Sequence, residues 1–81
     1  MKIIITIQNC VDNRKVNIQV DNKQRIATTF RVLEENMPDI MWELKEPFSA
    51  RSQRSKRRLN LHKNYEQEMI FNGDIIMLYN E

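Results

Sequence analysis

The sequence predicts an α+β domain: four to five short strands with one amphipathic helix laid across one face of their sheet. Three observations carry this. "KIIITIQ" and "KVNIQV" can each be read at a period of two, the stretch from Ile26 to Met37 repeats at about 3.6, and an apolar run, Ile75 to Tyr79, follows the chain's only glycine and Asp74. Eighty-one residues, 41% of them hydrophobic, are enough for one modest core, and residues 1–81 are read as a single domain.

The opening "KIIITIQ" is β-branched and places Ile3, Ile5 and Ile7 on one face, with Lys2, Ile4 and Thr6 on the other. "NCVDNR" then supplies turn residues. "KVNIQV" follows with Val16, Ile18 and Val20 on one side and Lys15, Asn17 and Gln19 on the other, so the two runs predict an antiparallel hairpin with one wet face. Asp21, three residues before Gln24, is a capping-box entry to the helix, whose stripe is Ile26, Phe30, Leu33 and Met37; Pro38 ends it at Asn36 or Met37.

"PDIMWELKEP" is too apolar for a free linker and is expected as a short helical turn or a loop over the core edge. Trp42 is read there as a core-closing residue, with an interface anchor as the alternative. "FSARSQRS" and "KRRLNLHK" predict two short, polar, strand-like pieces with Phe48, Ala50, Leu59 and Leu61 inward, their charges suiting sheet edges. "NYEQEMI" carries Tyr65, Met69 and Ile70 at one helical turn's spacing.

Asn72-Gly73 between apolar runs permits two readings. One is a type I′ hairpin. The other is a tight turn, Gly73 left-handed, that releases an isolated last strand, with Asp74 accepting from a nearby turn N–H. The helical spacing before Asn72 favours the turn. If Ile76 and Leu78 face the helix, Ile75, Met77 and Tyr79 lie on the open face beside Ile4; the opposite phase would leave Ile76 and Leu78 outside instead. Such a patch points to a partner, although a central strand can be apolar on both faces.

The formal charge of +2 hides an asymmetry. Arg51, Arg54, Lys56, Arg57, Arg58 and Lys63 form a basic run without one acidic residue, against seven basic and eleven acidic residues elsewhere. Such a run is either a solvated edge or a docking surface for an anionic partner. It contains no aromatic side chain for base stacking, so nucleic acid is the lesser expectation. The single Cys10 and single His62 provide neither an intramolecular disulfide nor a metal set, and Cys10 reads as a small apolar or turn residue in a reducing compartment. No nucleophile-base pairing and no glycine-rich phosphate loop is present, so neither enzyme activity nor a cofactor is expected. With no basic-plus-apolar leader and no long apolar span, a cytoplasmic protein is expected.

"MKIIITIQ…RKVNIQVDNKQRIATTFRVLEE" resembles the first hairpin and helix of ubiquitin-like (β-grasp) proteins. "LNLHKNYEQEMIFNGDIIMLY" resembles the end of the small ubiquitin-like accessory proteins of Gram-positive type VII secretion systems, the YukD/EsaB family. The resemblance implies a mixed sheet with the first and last strands parallel at its centre. It also implies a non-conjugating adaptor that docks on another protein, a membrane component of the secretion machinery. Ubiquitin-type modifiers and sulfur carriers act through a C-terminal Gly-Gly, whereas "LYNE" follows here, so conjugation is not expected. The alternative is a small nucleic-acid-binding or regulatory protein acting through Arg51–Lys63.

Overall fold

A computed structural model describes residues 1–41 and 43–81; Trp42, and with it both expectations for that side chain, lies outside the described residues. Strands β1 (Lys2–Asn9) and β2 (Arg14–Asp21) form the hairpin. Helix α1 (Ile26–Asn36), a 3-10 turn (Pro38–Met41), β3 (Phe48–Ser52) and β4 (Ile75–Asn80) follow. The described strands form one sheet in the order β2-β1-β4-β3. β1 pairs antiparallel with β2 and parallel with β4, and β3 pairs antiparallel with β4.

The period-two reading of the strands holds residue by residue. Ile3, Ile5, Ile7, Ile76 and Leu78 are buried under the helix, whose Ile26, Phe30 and Leu33 meet them. Burying each such side chain contributes about 1.5–3 kcal/mol. Phe30 packs edge-to-face on Phe48 with ring centroids 5.6 Å apart. Connecting segments complete the core with Ile40, Met41, Leu59, Tyr65 and Ile70, so the apolar stretch after Pro38 is indeed packed over the core.

Three expectations need correction. "KRRLNLHK" forms no strand of the sheet, which leaves four strands among the described residues. Only an isolated bridge, Arg51 to Arg58, ties it to β3, although Leu59 is buried and Leu61 packs on the core as alternation required. Asp21 does not cap the helix: its Oδ1 accepts from the Lys23 N–H (2.9 Å) and its carbonyl from the Gln24 N–H (3.0 Å), closing a separate turn. The helix begins after Arg25, which offers no side-chain cap. Met37 leaves the apolar stripe and is exposed, because the residue before a proline is pushed out of helical geometry; its φ and ψ are −139° and 63°.

Candidate functional site

The Asn72-Gly73 turn builds one end of the site. The Asp74 N–H donates to the Phe71 carbonyl (3.1 Å) and Gly73 has φ of 88°, while Asn72 is not left-handed, so this is a type II turn and not the I′ hairpin. A Cβ on Gly73 would meet nothing within 4 Å; backbone conformation, not space, calls for glycine here. The turn then docks on a single residue of β1. Asn72 Oδ1 accepts the Ile4 N–H (2.8 Å), and the Gly73 N–H donates to the Ile4 carbonyl (2.8 Å).

Asp74 is buried, and it anchors more than the expected turn N–H. Its carboxylate accepts from Ser52 Oγ (2.6 Å), the Ile75 N–H (2.8 Å) and the Arg54 N–H (3.3 Å). This ties the start of β4 to the turn that leaves β3. With that end fixed, the register sets the open face. Ile75 stands beside Thr6, Met77 lies between Gln8 and Arg51, and Tyr79 lies beside Ser49.

Ile75 and Met77 are half-buried, while Tyr79 and Ile4 are exposed at 37% and 55%. Ile4 lies two residues ahead of Thr6, next to the turn, so it meets the β4 column diagonally. The result is an apolar column framed by polar groups and one guanidinium. Tyr79 O–H points to Met77 Sδ (3.6 Å), and hydrogen bonding with Cys10 pushes the Tyr79 phenol above its ordinary pKa.

The basic run divides among several places. Arg51 stands on the open face opposite Met77. Arg54 donates to the Met69 carbonyl (3.0 Å) and covers the Phe71 ring at 4.7 Å, and Arg57 donates to the Glu68 carbonyl (2.7 Å). Arg58 pairs with Glu81, Lys56 sits left-handed in the turn after β3, and the Lys63 carbonyl accepts from Ile26 N–H at the helix entry (3.0 Å). Phe71 is 51% exposed under Arg54 and was not singled out from sequence. The available signal was its place next to inward Ile70 in a segment too short to be a helix.

Among the described residues no cluster of His, Cys, Asp and Glu could hold a metal ion, and no helix is long and apolar enough to cross a membrane.

Solved structures match this arrangement over nearly the whole chain. A designed protein based on ubiquitin superposes with a TM-score of 0.73 at 18% identity, covering 95% of this chain and 85% of its own. This is the ubiquitin-like β-grasp fold. Ubiquitin from Caldiarchaeum subterraneum matches with a TM-score of 0.70 at 16% identity, over 100% of this chain and 95% of that one. The ubiquitin-like domain of the Mycobacterium tuberculosis type VII secretion system protein ECCD1 matches with a TM-score of 0.64 at 14% identity, covering 99% of each chain. No protein-family model matches the sequence, and a search of curated proteins returns no match.

Proposed function

We propose that this chain is a ubiquitin-like adaptor of a bacterial type VII secretion system, of the YukD/EsaB kind, acting in the cytoplasm by docking on a membrane component of the machinery. The observation that carries the reading is the solvent-facing apolar column Ile75, Met77 and Tyr79, with Ile4 at its end and Arg51 beside it, on the sheet face away from the helix. Exposed apolar side chains framed by polar ones are the composition of a protein interface, and arginine is enriched there. Arg54, Lys56, Arg57 and Arg58 add positive charge at the adjoining edge. The likeness to a type VII secretion domain supports the choice of system.

Tagged protein purified from its native cells is expected to carry a secretion-machine component with it. Met77→Asp and Tyr79→Asp should each abolish that capture while leaving the melting temperature nearly unchanged. Enrichment of an unrelated partner and of no secretion component refutes the assignment. Unfolding of either variant shows that these side chains serve the core.

Nucleic acid is the lesser reading, because Arg54, Arg57 and Arg58 are already held by carbonyl or carboxylate oxygens. It requires binding that weakens steeply with salt, and a gel-shift series negative at low salt removes it.

A further inference from the structure

The two edges of this sheet are not equivalent. Outside β3, the Ser52 N–H donates to the Arg57 carbonyl (3.1 Å) and the Leu59 N–H to the Ala50 carbonyl (2.8 Å), so residues 57–59 cover that edge. Along β2 nothing comparable occurs among the described residues. The Asn22 N–H to Met1 carbonyl bond (2.9 Å) fixes the hairpin's phase. Bonded pairs then recur every second residue, at Ile3–Val20, Ile5–Ile18 and Ile7–Val16. The peptides of Lys15, Asn17 and Gln19 therefore point outward. The same phase turns the Ile4 N–H and carbonyl toward the other side of β1, where Asn72 and Gly73 meet them.

We propose that this free edge pairs antiparallel with β2 of a second copy of the chain, about a two-fold axis through Ile18. In that register Lys15 of each copy faces Asp21 of the other, and Asn17 faces Gln19, on the open side of the joined sheet. Moving the axis by one residue sets Lys15 against Gln19 or against Lys23, so this register alone brings opposite charges together. Lys15 has no carboxylate partner among the described residues, and the Asp21 side chain is 42% exposed.

On the helix side the joined strands place half-buried Val16 and Ile18 and buried Val20 against Val20, Ile18 and Val16 of the other copy. Two apolar hollows flank β2 on this side, one of about 500 Å³ against the 3-10 turn and one of about 300 Å³ against α1; both are lined by the exposed Met37, and exposed Val32 lines the smaller one. The pairing brings the hollows of the two copies toward each other across the axis. It leaves the Met77 and Tyr79 column of each copy open, so it stands independently of the docking reading.

Sedimentation velocity across the micromolar to millimolar range tests this. The wild-type chain should show a concentration-dependent dimer. Lys15→Asp and Asp21→Lys each place two like-charged pairs where two opposite pairs stood, and each alone should weaken dimerisation by roughly tenfold or more. An equimolar mixture of the two variants should recover the dimer as a heterodimer, because both contacts are then attractive again. In a Cys10→Ser background, Ile18→Cys should oxidise to a covalent dimer and Asn17→Cys should not, since only position 18 meets itself across the axis. A wild-type chain that stays monomeric to millimolar concentration overturns the proposal. So does a mixture no better than either variant alone, or a β2 edge that takes a foreign extended peptide but never a second copy.

Discussion

Gly73 and Asp74 are neighbours with unlike jobs, and the difference is measurable. Alanine at 73 meets no atom and is opposed only by its left-handed φ of 88°, a cost of about 1–2 kcal/mol. Alanine at 74 leaves the Ser52 hydroxyl and two backbone N–H groups without their buried acceptor, which costs roughly 2–3 kcal/mol. Urea denaturation should therefore rank Asp74→Ala as the more destabilised variant, and the reverse order would mean that the carboxylate is dispensable. The turn itself was legible, because a lone glycine between apolar runs has few other uses. The Ser52 contact was not, since it joins residues 22 apart that no local pattern links.

Among the elements, the segment from Arg57 to Lys63 shows most plainly what periodicity can and cannot say. Alternation placed Leu59 and Leu61 inward correctly, yet the backbone does not continue as a strand. It seals the β3 edge, and then its Leu61 and Lys63 carbonyls accept the N–H groups of Ala27 (2.8 Å) and Ile26 (3.0 Å). A backbone segment thus caps the helix whose entry the spacing assigned to Asp21. Serine in place of alanine at an N-cap ordinarily stabilises by about 1 kcal/mol. At position 25, where the first N–H groups are already satisfied, Arg25→Ser and Arg25→Ala should differ by less than about 0.5 kcal/mol in chemical denaturation. A full-sized difference would show that the 61–63 carbonyls cap poorly.

For the molecule as a whole, Tyr65 ties the last connection to the helix. It is fully buried and donates its hydroxyl to Thr29 Oγ1 (2.6 Å). Burial pushes its pKa from 10.0 up to about 12, the Thr29 hydrogen bond opposing in part. Above pH 10 the unfolded chain gives up this proton while the folded one keeps it, so the contribution is complete below pH 10 and falls as pH rises toward 12. The loss amounts to roughly 2–3 kcal/mol. Denaturation followed from pH 9 to 12 should show that decline in the wild type and a flatter profile in Tyr65→Phe; parallel profiles would assign the alkaline loss to other groups. At this scale the hairpin, the helix and the last strand were legible from spacing, whereas the phase of β4 was not, because its run is apolar on both faces. The parallel centre was not legible either, for it rests on likeness to a known fold, because nothing in a strand's own residues names a partner far along the chain.

The clasp of Asn72 and Gly73 on Ile4 bears on the order of assembly during synthesis. The β1–β2 hairpin and α1 leave the ribosome first, with one side of β1 lacking its parallel neighbour. That neighbour lies some seventy residues downstream, and it cannot pair until the chain through Asn80 has emerged. The sheet therefore stays incomplete, with one side of β1 open and β3 without its partner strand, until β4 has emerged.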